Sequence, residues 1–455
     1  MIKQIVAPAR RWCVAEGPIL PPFAFLGANM RTLILWLSLI AGVVPQAHAS
    51  PPIIVSNASE LQAALVPTNA GRTIVVRAGD YEVSQPLVVP EGATLTGEGV
   101  MNLGEDGLPA GFRDGTRTTL RATAVLVGDI VTLGHGTSLS RLAIEDRQGR
   151  SGGNLVVVSS RSAGDVVSAF VDECELVNPN PAGTVFNGPS GRGLLAITRN
   201  PRQVSPPAPH EGSSIAVRMR FSIARSTADS SAVFAVNFAP HAQVSVDLER
   251  NVVGGRLDAQ GGISRPVSVV GSATRISSKG NLYRADSGNA EWGWMLGGGG
   301  GPPVVLTVGT TSGNLLTVDS TEDRIEGFRY GIYASAGVRR FGPPIAGTSD
   351  ENRATLSLRG TRIASSVGDL VLFAAIAPSQ TVTPGDGNVL HVELRGVAGS
   401  GASGNMYAHV VGPSGVLSPP LSGYGNRVEI EGSPVSLLRR GIDPPPPPDM
   451  FIGPE

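Results

Sequence analysis

The sequence predicts an all-β chain wound into a solenoid of stacked parallel rungs. Three observations carry that expectation: alternating apolar and polar runs that recur at a near-constant period, a composition rich in turn residues and poor in charge, and a short helical signal ahead of the first rung. The chain has 455 residues with 59 Gly and 36 Pro, and 16% are charged, against roughly 25% in an ordinary soluble domain. Hydrophobic residues at 41% suffice for a large core, while aromatics at 5% are few. This composition excludes a disordered acidic or basic chain, a coiled coil and a disulfide scaffold. A formal net charge of -1 removes the electrostatic footprint of a nucleic-acid binder.

The strands come in two phased families. Residues 215–223, 244–251, 354–363, 389–397 and 426–431 alternate apolar and polar side chains, the period-two pattern of a strand with one buried face. A second set of apolar runs, at 193–198, 232–238, 266–271, 330–336, 369–377 and 406–411, mostly precedes them. Their starts fall roughly 35–40 residues apart, a solenoid period, with one longer gap between Pro266 and Tyr330. Such a unit buries its apolar face only by stacking on its neighbours. Roughly ten rungs at about 4.8 Å give a body about 50 Å long.

The opening segment supplies the lid. Ser59-Glu60-Leu61-Gln62 has capping-box spacing and starts a short helix with Leu61, Ala64 and Leu65 on one face. GRTIVVRAGDYEV and QPLVVPEGATLTGEG follow as strands, with turn glycines at Gly79, Gly92 and Gly97. These phrases, with Gly79-Asp80-Tyr81 and Gly92-Ala93-Thr94-Leu95-Thr96-Gly97, resemble the opening of right-handed parallel β-helix proteins of the pectin-lyase-like superfamily. The resemblance implies a right-handed parallel β-helix whose N-terminal helix caps the first coil. It implies no single activity, because that fold hosts lyases, hydrolases, adhesins and structural proteins.

Three segments are expected. Residues 1–49 read as a signal peptide region: Arg31, an apolar run over 33–44 and a small-x-small site direct cleavage after Ala49, with Met30 as the expected start. Residues 50–440 form the β-helix, and 441–455 a proline-rich tail in extended conformation. The expected localisation is secreted or periplasmic. Cys174 is the one cysteine after Ala49, so no internal disulfide is expected.

Chemistry is harder to find. The resemblance implies several catalytic templates, and none is complete. Gly134-His135-Gly136 stands without the acidic pair and the Arg-x-Lys of the polygalacturonan hydrolases, and reads as a turn. The lysine-base lyases leave one trace, Lys279 with Arg275 or Arg284, and Lys279 precedes a Gly-Asn turn. No motif supports a metal or other cofactor, calcium included. Outward residues two apart on a strand lie roughly 6.8 Å apart, within reach of an inverting glycosidase pair. Asp247/Glu249, Glu173/Glu175 and Glu429/Glu431 all meet that test, as solvated strand faces also would. Aligning Cys174 with Phe221 places Asp172 at an inward position, with an outward bulge as the preferred alternative. Asp319, Glu322 and Asp323 read as a solvated turn.

Trp292 and Trp294 remain as candidate substrate-binding residues. Their spacing puts both rings on one face of an extended segment, as a platform for sugar rings. The competing reading makes them the plug of a loop folded back on the solenoid. The function expected is an exported protein that binds or faces polysaccharide, or cell-envelope glycan, along its flank. The alternatives are a polysaccharide lyase or hydrolase with residues scattered over several rungs, and a structural envelope protein.

Overall fold

Alternation dictates how each strand sits. The strand Leu315–Thr321 buries Leu316, Val318 and Ser320 and turns the residues between them outward. It lies parallel between Ala273–Lys279 and Arg353–Arg359, with Val318 in register with Ile276 and Leu356. The same inward place is taken rung after rung by Ala169, Val217, Val246, Ile276, Val318, Leu356 and Val392. Aliphatic columns of this kind merge into one continuous core along the solenoid.

The computed structural model describes residues 50–147, 153–179, 191–198, 210–226, 231–263, 268–286, 290–300, 310–338, 349–376, 386–399, 405–412, 426–432 and 439–440. The expected signal region, 1–49, and the tail, 441–455, lie outside the described residues. Among the described residues the chain forms three long parallel sheets of 12, 10 and 11 strands, here called A, B and C. Each coil crosses A, then B, then C, as Leu315–Thr321, Arg324–Glu326 and Tyr330–Val338 do before Arg353–Arg359 opens the next. The fold is a right-handed parallel β-helix, the hand that parallel crossovers adopt.

From Val166–Asp172 to Val389–Arg395, both ends of each sheet A strand turn through a left-handed residue. Arg250, Gly280, Glu322 and Gly360 occupy the corner into sheet B, and Gly271, Gly313, Glu351 and Gly387 the corner out of sheet C. The residue after each left-handed one points inward and builds a polar ladder. On one corner Asn314, Asn352, Asn388 and Asn426 stack, each backbone N–H donating to the next side-chain oxygen at 3.1, 3.1 and 2.8 Å. On the other, Ser222, Asn251, Asn281 and Asp323 do the same at 3.0, 2.8 and 2.8 Å. Buried corners thereby satisfy backbone donors that no sheet reaches.

The asparagine ladder explains a glycine run that reads as loop. Trp292–Gly300 is a strand of sheet C, and the sequence misses it by treating the region of Pro266 as its counterpart. Among the described residues Val269–Val270 there pairs with Thr311–Ser312 in a small sheet of its own, and Trp292–Gly300, between Arg256–Gln260 and Tyr330–Val338, closes the apparent gap in the period. Within the strand, a Cβ on Gly299 would overlap the Asn352 side chain, and one on Gly337 the Asn388 side chain. Gly299 and Gly337 are paired in register, so the ladder demands them both. Gly299→Ala is expected to cost about 1–3 kcal/mol of stability through overpacking, read from its urea midpoint.

The cap is α1, Ala58–Ala64, with Leu61, Ala64 and Leu65 buried on the core as expected. Its start lies two residues before the predicted one. Asn57 is the N-cap and accepts the Glu60 N–H at 2.9 Å, while the Glu60 carboxylate accepts the Ser56 N–H at 2.7 Å. The sequence reading also misses an antiparallel hairpin, Met101–Leu103 with Pro109–Phe112. Its Leu108 and Met101 pack on Ile223, Val252 and Leu282 of sheet B. Asp106 at its turn reaches Arg324 at 2.6 Å, so the hairpin straps several coils.

Candidate functional site

The three sheets offer unequal surfaces. Beyond its first strands, where Val88 is exposed, the described residues of sheet C are buried on both faces: Trp292, Met295, Tyr330, Tyr333, Val371 and Phe373 form one enclosed outer cluster, and Val157, Leu195, Ile197, Phe234, Val236 and Phe238 another. Sheet B carries the hairpin. Among the described residues the outward side chains of sheet A are mostly half-buried or exposed, as in Val166–Asp172, Gln243–Glu249 and Ala273–Lys279. The candidate functional surface is therefore the outer face of sheet A.

Its residues follow from the register. One outward row runs Phe170, Arg218, Asp247, Ser277, Asp319, Ser357, Glu393, Glu431, and the next Asp172, Arg220, Glu249, Lys279, Thr321, Arg359, Arg395. Opposite charges meet along and across the rows: Arg220 on Asp172 at 2.8 Å, Arg218 on Glu249 at 2.9 Å and Arg275 on Asp319 at 3.2 Å. Phe170 stands among them 46% exposed, the most open Phe, Tyr or Trp among the described residues.

The structure places each residue singled out in the sequence. Asp172 faces outward without a bulge. Cys174 aligns with Ser222, one residue from the expected partner, because Glu173 and Phe221 are the left-handed corner residues. Cys174 itself is buried, and burial pushes its thiol up to about 12, so it is an inert filler. The Glu173/Glu175 pair is split by a corner: Glu173 accepts Arg141 at 3.0 Å, and Glu175 begins a sheet B strand and accepts Arg117 at 3.0 Å. Asp247 and Glu249 do share a face, yet the Arg218 hydrogen bond holds the Glu249 carboxyl below its ordinary range. A general acid needs the opposite displacement. Glu429 is engaged by His391 at 3.3 Å and Arg427 at 2.7 Å.

Asp319, Glu322 and Asp323 do not form one solvated turn. Asp319 is a strand residue, Glu322 the corner, and Asp323 a fully buried rung of the ladder. Burial raises the Asp323 carboxyl to about 6, and burial also raises that of Asp369; both are enclosed and neither reaches a surface. His135 is an exposed turn residue, as expected, with its carbonyl accepting the Gly92 N–H at 2.8 Å. Lys279 and Arg275 are exposed on the open face of sheet A, while Arg284 lies on sheet B.

Trp292 and Trp294 lie on opposite faces of their strand. Trp294 points into the solenoid, edge-on to Tyr283 with centroids 5.1 Å apart. Trp292 joins the outer cluster and stacks on Tyr330 at 4.3 Å. Both are buried, so neither indole face is open to a sugar ring in this conformation.

One pair escaped the sequence reading. The Ser160 hydroxyl lies 3.0 Å from Nδ1 of His210, with both residues buried. Nδ1 also lies 3.1 Å from the Thr198 carbonyl, which can only accept. The Nδ1 proton is therefore fixed by that carbonyl, and this nitrogen has no lone pair with which to activate the serine. Among the described residues no group of three or more His, Cys, Asp or Glu side chains is arranged to hold a metal ion.

No family model matches the chain, and no curated protein matches it. Among solved structures it is similar to a PL6 family polysaccharide lyase from Pseudopedobacter saltans, at 11% identity over 86% of this chain and 99% of that one, with a TM-score of 0.26. A second is the catalytic unit of a thermostable GH87 α-1,3-glucanase from Streptomyces thermodiastaticus, at 13% identity over 87% and 70% and a TM-score of 0.25. A third is a mannuronic acid specific polysaccharide family 6 lyase from human gut microbiota, at 10% identity over 84% and 91% and a TM-score of 0.26. The fold stands on the parallel sheets themselves, and these likenesses carry nothing about chemistry.

Proposed function

We propose that this chain is an exported β-helix protein, secreted or periplasmic, that binds polysaccharide along the open face of sheet A without cleaving it. The observation that carries the reading is that face: uncovered along the coils, lined by rows of arginine, carboxylate and hydroxyl groups, and bearing the exposed ring of Phe170. Paired guanidinium and carboxylate groups offer donors and acceptors to sugar hydroxyls at every rung, and an aromatic ring offers its face to the C–H side of a pyranose. Asp172, Glu249, Asp319, Glu393 and Glu429 on this face are each paired with an arginine, and the Arg218 bond holds the Glu249 carboxyl down, the reverse of what a general acid needs. Among the described residues no helix is long and apolar enough to cross a membrane.

The test is a panel of neutral and acidic polysaccharides, with and without calcium, scored for binding and for new unsaturated and reducing ends. Binding without new ends is expected, and Phe170→Ala is expected to weaken it about tenfold while leaving the unfolding midpoint within about 0.5 kcal/mol of wild type. New chain ends, or binding that ignores Phe170, would overturn the reading.

A further inference from the structure

The hairpin does not seal against sheet B. Between them lies a cleft of about 260 Å³ lined by Asp106, Leu108, Pro109, Arg225, Val252, Leu282 and Arg284, together with Gly104 and Ala110. Arg225 and Arg284 occupy the same outward row two rungs apart, with Gly254 between them in register. A side chain at 254 would run into Arg225 and Asp286, so the glycine keeps the floor of the cleft open.

Among the described residues, the charges around this cleft are in ion pairs with one exception. Asp106 holds Arg324 at 2.6 Å and Asp286 holds Arg284 at 3.3 Å. Arg225 is partly buried, and its Nε is enclosed without a hydrogen-bond partner. A guanidinium N–H withdrawn from water without an acceptor is costly, and such groups are ordinarily bonded. Among the described residues, two ion pairs and one cation outside any ion pair leave the cleft with a single positive charge to neutralise. Leu108, Pro109, Val252 and Leu282 supply apolar walls beside it.

We propose that this cleft is a binding site for a small organic monocarboxylate, whose carboxylate pairs with Arg225 and whose apolar body lies against the wall formed by Leu108, Val252 and Leu282. One negative charge matches the unmatched cation, and a planar carboxylate matches the guanidinium fork. The volume falls below the roughly 300–1,000 Å³ of drug-sized ligand sites, so the occupant is about one ring in size. The site lies on a different sheet from the proposed glycan-binding face and stands or falls independently of it.

Titration calorimetry on the full chain with benzoate, benzamide and inorganic sulfate tests this directly. Benzoate is expected to bind saturably, with benzamide and sulfate at least about tenfold weaker. Arg225→Gln is expected to lose about 10–100-fold in benzoate affinity, the worth of a charged hydrogen bond. Leu108→Ala should weaken benzoate while leaving any response to sulfate unchanged. Because the enclosed Nε of Arg225 has no hydrogen-bond partner among the described residues, the Gln variant should unfold at the wild-type midpoint or above it. Unsaturable benzoate, equal binding of sulfate, or full affinity in the Gln variant would overturn the proposal. A clearly lowered midpoint in that variant would overturn it too, by assigning Arg225 a structural role.

Discussion

Replacing Asn352 by alanine is expected to lower stability by about 3–5 kcal/mol, the largest effect of any single polar substitution proposed for this fold. Asn352 is fully buried at a corner and links three coils. Its side-chain oxygen accepts both the backbone N–H and the Nδ2 of Asn314, each at 3.1 Å. Its Nδ2 donates to the Thr311 carbonyl at 3.0 Å and to Asn388 at 3.2 Å. Alanine leaves the Asn314 N–H and the Thr311 carbonyl without partners, at about 1–3 kcal/mol each, and opens a small void. The measurement is hydrogen exchange of the Asn314 amide together with the urea midpoint. Because a solenoid holds together through nearest-neighbour interfaces, protection should fall first in the coils around 311–352. Unchanged exchange at Asn314 would mean that the ladder does not hold this corner.

How much of this could be read from the sequence depends on the length scale of the signal. Strands with one buried face, such as Val389–Arg395, announce themselves by alternation, so Ser214–Arg220, Gln243–Glu249, Arg353–Arg359 and Arg427–Glu431 are legible too, while Ala273–Lys279 and Leu315–Thr321 of the same sheet go unread. Sheet C strands are buried on both faces, which removes the alternation, and Trp292–Gly300 hides further behind its glycines. Those glycines are required by Asn352 and by the close approach of neighbouring backbone, a contact between coils that no local pattern contains. The ladder had a visible trace in Gly-Asn pairs such as Gly313-Asn314, Gly387-Asn388 and Gly280-Asn281. Read alone, each pair is a turn; their stacking appears only once the register is known. The same limit applies to the surface. Arg225 and Arg284 become neighbours through two rungs of pairing, and Phe170 stands exposed because Val167, Ala169 and Val171 beside it fill the interior. Trp292 and Trp294 misled for the complementary reason: i, i+2 spacing shares a face only where the strand is regular, and theirs is interrupted at Gly293.

Asp323 offers the second large effect, and its sign depends on pH. The other ladder members next to it, Asn251 and Asn281, are amides, whereas Asp323 brings a carboxyl group into the same enclosed corner. Its Oδ1 accepts the Asn281 N–H at 2.8 Å and its Oδ2 accepts the Ser320 hydroxyl at 2.7 Å. These bonds favour the charged form, yet desolvation outweighs them and lifts the group from 3.8 to about 6. A carboxyl raised on folding stabilises the protein fully below its unfolded value, and that contribution is lost as pH rises through the folded one. Each unit of displacement corresponds to about 1.4 kcal/mol, so the ionised group costs up to about 3 kcal/mol near pH 7. An asparagine at 323 would avoid that cost and keep the ladder. Its Nδ2 would face Ser320 as Asn281 Nδ2 faces Ser278, at 2.9 Å, and as Asn352 Nδ2 faces Ser349, at 3.2 Å. Asp323→Asn is therefore expected to raise stability by about 1–3 kcal/mol at pH 7–8. The gain should shrink through pH 6 and vanish below about pH 4, where the wild-type carboxyl is protonated in both states. Asp369, also raised, stays in both proteins, so the quantity to plot is the difference between the two unfolding curves. A difference that stays flat from pH 4 to 8 would show that Asp323 does not carry this titration. A variant less stable at pH 7 would show that the charged carboxylate, held by Asn281 and Ser320, is the form the corner is built around.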